Sequence, residues 1–202
     1  MEYIVPVTVA FITAVLGPLV IEWAKEKFKS KPKKSPIQEA LEMNELVDNQ
    51  LDIIMEQVGC DRTWIIQFHN GGHFYLTGKS IQKFSMFYEK ITPDTISIQH
   101  TFQNIPVSLF PKMLGKIYKD GELEIPTYTG GETYDLETIA SGIESKSFYA
   151  VGLYSLDDHL IGVMGMSFNK EHKLNKDEWI FIRQKVGVIG TLLTDYLKSA
   201  KK

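Results

Sequence analysis

The chain has 202 residues, with 22 Lys and Arg against 25 Asp and Glu, so its formal net charge is −3. That length admits one ordinary domain plus an appendage, and the charge offers no chain-wide basic surface, so no nucleic-acid partner is expected. A single cysteine, Cys60, excludes an intrachain disulfide, a two-cysteine redox cycle and a cysteine-rich zinc site.

The charge is unevenly spread. Residues 4–21 carry none, near the lower edge of the length that crosses about 30 Å of hydrocarbon. Tyr3 and Trp23 flank this run as interfacial aromatics, and Pro6, Gly17 and Pro18 are tolerated in membrane helices. Lys25, Lys27, Lys29, Lys31, Lys33 and Lys34 follow, opposed only by Glu26. The expected organisation is a transmembrane anchor over residues 1–24, a basic linker over 25–35 and a folded domain over 36–202. Residues 3–24 would contact the lipid bilayer. The lysine collar predicts a single-pass protein of the inner (cytoplasmic) membrane, its N-terminus outside and its domain in the cytoplasm. A cleaved signal would place its positive charge before the apolar run, not after it.

Ser35 and Pro36 open a helix as cap and first residue, and Gly59 closes it after Val58. Leu41, Val47, Leu51, Ile54 and Val58 form its apolar stripe, interrupted by Asn44. Residues 62–70 read as a strand running into a Gly71–Gly72 turn, and residues 83–92 as a second strand closed by Pro93. Residues 107–118 and 136–144 read as short helices, 123–125 as a short strand and 127–135 as a loop. Residues 148–155 and 160–168 form a strand hairpin. Asn175 then caps a last helix to about Ser199, with a seam of Trp179, Ile182, Val186, Ile189, Leu193 and Tyr196. This order predicts an α+β domain with an antiparallel sheet and both long helices on one face.

The stretch SFYAVGLYSLDDHLIGVMGMSF, with Ile161–Gly162–Val163, and the Asp177–Glu178 helix start resemble the end of a GAF domain; the likeness spans residues 37–197. Phe68 to Gly72 (FHNGG) and the strand from Lys83 to Glu89 are similar to the first hairpin of a group of phage and bacterial GAF-like proteins. The resemblance implies a GAF/PAS-like fold that binds a small ligand or serves as a dimerising sensory module, so a homo-oligomer is expected. Bilin-binding members attach pigment to a pocket cysteine, which the position of Cys60 does not match, and no cofactor is named.

Alternation places Thr63, Ile65, Gln67 and His69 on one strand face, and Ser85, Phe87 and Glu89 on one face of the next. If both look away from the helices, Gln67, His69, Ser85 and Glu89 line a polar cup beneath the loop-rich middle; the alternative is a solvated sheet face. Asn70 at the turn, Phe87 and the loop aromatic Tyr128 complete the candidate ligand site. His69 and His73 are four residues apart, but across a glycine turn that spacing gives no metal face, and no metal site is expected. A His69–Glu89 pair suggests acid–base work, yet no nucleophile accompanies it, so no catalytic residue is assigned. The functional expectation is a membrane-anchored sensory, ligand-binding or protein-interaction module without catalytic activity of its own. The alternative is a phage- or membrane-associated assembly protein that uses the fold for oligomerisation.

Overall fold

The computed structural model describes residues 18, 20–23, 35–73, 80–128 and 145–199. The chain divides into two compact units, Met1–Pro36 and Ile37–Lys202. In the first, residues 18 and 20–23 are helical; the rest of the expected anchor over 1–24 and residues 25–34 of the expected linker lie outside the described residues. Among the described residues no helix is long and apolar enough to cross a membrane.

The second unit takes in helix α1, Pro36–Val58, from its second residue, and its last described helix is α3, Lys176–Ser199. Both follow the capping chemistry of the sequence. Gly59 sits at φ +71, the left-handed geometry that ends a helix, and its N–H donates to the carbonyl of Met55 at 2.8 Å. Asn175 Oδ1 accepts from the N–H groups of Asp177 and Glu178, while Glu178 Oε2 accepts from the N–H of Asn175, a reciprocal box. The buried stripe of α1 is Met43, Val47, Leu51, Ile54 and Val58; Leu41, expected in it, is exposed. Met43 precedes Val47 by one turn, so it continues the stripe where Leu41 falls off the buried side.

Between these helices run β1 (Arg62–His73), β2 (Ser80–Ile91), β3 (Ile105–Pro106), α2 (Pro111–Asp120), β4 (Glu122–Ile125), β5 (Ser147–Tyr154) and β6 (Leu160–Phe168). β1 continues through the expected Gly71–Gly72 turn to His73, with Gly72 at φ +107. The helix expected over 107–118 is broken. Residues Val107–Leu109 form a 3₁₀ turn, and α2 starts only at Pro111, whose ring disfavours helical geometry at Phe110 (φ −128, ψ 48). The short helix expected over 136–144 lies outside the described residues.

The six strands form one antiparallel sheet in the order β3-β2-β1-β6-β5-β4. Its two faces carry separate clusters. One joins the stripes of α1 and α3, including Trp179, Ile182, Val186, Ile189 and Leu193, to Ile65, Tyr149, Leu153, Met164 and Met166. Both long helices therefore lie on one face, as the sequence predicts. The other face packs Trp64, Ile66, Phe84, Phe148 and Val163 against Phe102, Phe110, Met113 and Ile117.

Two glycines at the sheet centre allow this packing. A Cβ on Gly162 would lie 2.3 Å from the carbonyl oxygen of Ile66, and one on Gly165 would lie 2.0 Å from the Trp64 ring. Gly162→Ala is expected to lower unfolding free energy by about 1–3 kcal/mol, because backbone cannot yield as a flexible side chain does. Gly187→Ala, on an open surface of α3, should instead stabilise by about 1 kcal/mol. Urea unfolding of the two variants checks the opposite signs.

Candidate functional site

The expected polar cup depends on the pairing of β1 with β2, and that pairing slips. Ile65 faces Tyr88 and Ile66 faces Met86, leaving Phe87 as an extra residue, 51% exposed. A bulge of one residue reverses the alternation beyond it. Ser85, opposite Gln67, lies on the helix-layer face with Gln67 and His69. Glu89, opposite Trp64, falls on the second face. The four residues expected together are thus divided between the two faces, and His69 and Glu89 form no acid–base pair.

Glu89 has a different partner. Its Oε1 lies 3.1 Å from Nε of Arg62, an ion contact without the alignment of a hydrogen bond, and both side chains are 2% exposed. Burial lowers the Arg62 pKa, and the charges of Glu89 and Asp61 oppose that shift. The same carboxylate accepts from the backbone N–H of Ile98 (3.0 Å) and Gln99 (3.1 Å) and from the Ser97 hydroxyl. Arg62 donates to the carbonyl of Ile96. Together they fasten the connection between β2 and β3 to the sheet. Gln99 and Gln103 extend this by donating side-chain N–H to the carbonyls of Phe87 and Met86, each at 2.8 Å, which covers the edge of β2. Arg62 was not legible as a partner, because strand alternation alone does not reveal the bulge that places Glu89 beside it.

On the helix-layer face, His69 Nε2 lies 2.9 Å from Ser85 Oγ, which also accepts from the N–H of Asn104 at 2.9 Å. Asn104 has φ +57, so the hydroxyl holds a left-handed residue just before β3. The pair is a structural tie at the end of the hairpin.

The second face is filled by a buried aromatic cluster. Trp64 and Phe148 (ring centroids 5.9 Å), and Phe84 and Phe110 (5.6 Å), form an aromatic floor. Phe68 and Tyr128 pack against it, partly exposed. Asn70 shares the face of Phe68 and accepts from Gln82 Nε2 at 3.2 Å, setting an amide pair at the rim. Of the expected site residues, Asn70 and Tyr128 therefore border this floor, Glu89 anchors the connection that crosses over it, Gln67, His69 and Ser85 lie on the opposite side, and Phe87 projects at the bulge. Among the described residues no three His, Cys, Asp or Glu side chains are grouped to hold a metal ion. Cys60 is buried in the helix-facing cluster, and burial pushes its thiol up to about 12.

No protein-family model matches the chain, and no curated protein matches it. Solved structures do. The GAF domain of PixJ from Thermosynechococcus elongatus, in its blue-light absorbing form, superposes with a TM-score of 0.62 at 14% identity over 81% of this chain and 90% of its own. The phycocyanobilin-bound GAF domain of a cyanobacterial phytochrome gives 0.62 at 16% identity, covering 79% and 88%. A GAF domain/HD domain protein from Geobacter sulfurreducens gives 0.60 at 13% identity, covering 77% and 94%. The fold is GAF-like.

Two outcomes follow from the buried groups. Arg62→Met or Glu89→Gln leaves a buried partner uncompensated and should cost about 3–5 kcal/mol in urea unfolding, whereas His69→Ala, at a partly exposed hydrogen bond, should cost about 1 kcal/mol. Cys60, raised to about 12, should resist alkylation at neutral pH until the chain unfolds. Its unfolded pKa is near 8.5, so its stability contribution is complete below that value and is lost as pH rises towards the folded one. Tyr88, also raised to about 12 by burial and Asp48, acts in the same sense above pH 10. The alkaline loss should shrink in Cys60→Ala, read from melting temperature against pH.

Proposed function

We propose that the chain is a sensory, ligand-binding GAF-like module that works without catalysis and is held at the inner membrane through residues 3–24. The observation that carries the ligand-binding reading is the division of the sheet. One face is committed to α1 and α3. The other packs its aromatic cluster beneath α2 and the β2–β3 connection and leaves Phe68 and Tyr128 part-exposed at its margin, near the Asn70–Gln82 amide pair. An apolar floor with a few convergent polar groups is the general form of a small-molecule site. The ligand this surface suits is a flat, largely apolar molecule with hydrogen-bonding groups at one edge. The neighbouring phytochrome domain is described as phycocyanobilin-bound, which supports ligand binding by this fold; the seclusion of Cys60 argues against a thioether-linked pigment here. The membrane reading is supported by the uncharged run over 4–21 and the lysine collar behind it.

The filled second face also supports a second reading, an assembly protein, phage-encoded or membrane-associated, in which the fold serves oligomerisation. Native mass spectrometry of the detergent-purified full chain separates the two. The sensory reading expects a co-purifying small-molecule mass that is diminished in Tyr128→Ala and Asn70→Ala, with both variants folded. A ligand-free oligomer would instead favour assembly. Recovery of the chain in the carbonate-washed membrane pellet supports the anchor, and recovery in the supernatant contradicts it.

A further inference from the structure

α1 and α3 bury one side each against the sheet and share an outward seam. Gln50 of α1 accepts from Lys185 Nζ of α3 at 3.1 Å, and Gln57 and Phe181 line a common groove of about 510 Å³. Leu46, Gln50, Ile53 and Gln57 recur at i, i+4, i+7 and i+11, the spacing of one helix face. On α3 the same spacing relates Phe181, Lys185, Val188 and Leu192. Within these two rows Leu46, Ile53 and Val188 remain 47%, 38% and 46% exposed. Exposed apolar positions thus recur along the seam between Gln50, Gln57 and Lys185, and the groove lies at one end of it, where Gln57 and Phe181 meet the start of α3; apolar anchors at helical spacing with polar flanks are what an amphipathic helix inserts against.

Charge selects the kind of helix. α1 carries Glu39, Glu42, Glu45, Asp48, Asp52 and Glu56 and no basic residue. Lys90 of β2 lies 3.4 and 3.3 Å from Asp48 and Asp52. On α3, Asp177 and Glu178 line the groove, and Lys176 and Lys185 are the basic residues beside it. A second copy docking α1 against α1 would oppose two helices of the same strong sign. We propose that the α1–α3 seam docks an amphipathic helix of a different protein, apolar on the face it inserts and lysine- or arginine-rich on its flanks. This surface lies in the helix layer, so it does not depend on a ligand at the second face of the sheet.

Both hydrophobic clusters lie wholly within residues 43–193, and residues 37–202 form a compact unit of their own, so the fragment from Ser35 serves for the test. The probe is a fluorescein-labelled helical peptide of leucine–lysine heptads, compared by anisotropy with its scrambled isomer and with a leucine–glutamate version. The heptad peptide should bind, about tenfold more tightly than the scrambled isomer, and more weakly as salt is raised. Ile53→Asn and Val188→Asn, both at exposed positions, should each weaken it with unchanged melting temperature. Glu39→Lys combined with Glu56→Lys should shift preference towards the glutamate peptide. Equal binding of the scrambled isomer, absence of binding, or indifference to all these variants would overturn the proposal. So would a stable dimer by sedimentation that Ile53→Asn dissociates, since the seam would then belong to a second copy.

Discussion

The second face of the sheet is organised around one buried charge pair. Arg62 and Glu89 come from the paired ends of β1 and β2, and neither could stay in the interior without the other. The carboxylate then has acceptor capacity left over. It spends that capacity on the backbone of Ile98 and Gln99, while the guanidinium reaches the carbonyl of Ile96. An irregular connection thereby acquires the fixed hydrogen bonds that a regular element would have had. Phe102 and Ile98, carried on that connection, reach the aromatic floor because the pair fixes where the segment crosses.

The bulge at Phe87 is what puts Glu89 on that side. Without it, the carboxylate would point towards the helices, on the side of Ile65, Met164 and Met166 and away from Arg62. One extra residue thus separates two chemistries along a single strand: Ser85 with His69 towards the helix layer, and Glu89 with Arg62 towards the opposite face.

Much of the fold was legible because its signals are local. Pro36, Gly59 and Asn175 mark helix ends by capping chemistry, and β6 and α3 follow from unbroken periodicity over whole elements. The candidate site was less legible because it depends on relations between strands. Alternation assigned Gln67, His69, Ser85 and Glu89 to one side by counting in twos, and a register slip defeats counting. Asn70 and Tyr128 are marked by turn and loop composition and border the aromatic cluster, whereas Gln82, which donates to Asn70 there, lies inside a strand and carries no signal of its own. The two-residue β3 was missed for a related reason: Asn104 enters it through a left-handed conformation held by a hydroxyl contributed from another strand.

The GAF-like fold supplies an architecture with a helix layer on one side of the sheet and an aromatic cluster on the other; the chemistry comes from the side chains placed on each. The most direct measurement of this account is amide hydrogen exchange at Ile98, Gln99 and Asn104, whose N–H groups are held by the side chains of Glu89 and Ser85 rather than by strand pairing. The account predicts protection comparable to the central strands β1 and β6. Exchange at the rate of an open surface loop would contradict it, because the segment over the second face would then not be fixed by the buried pair.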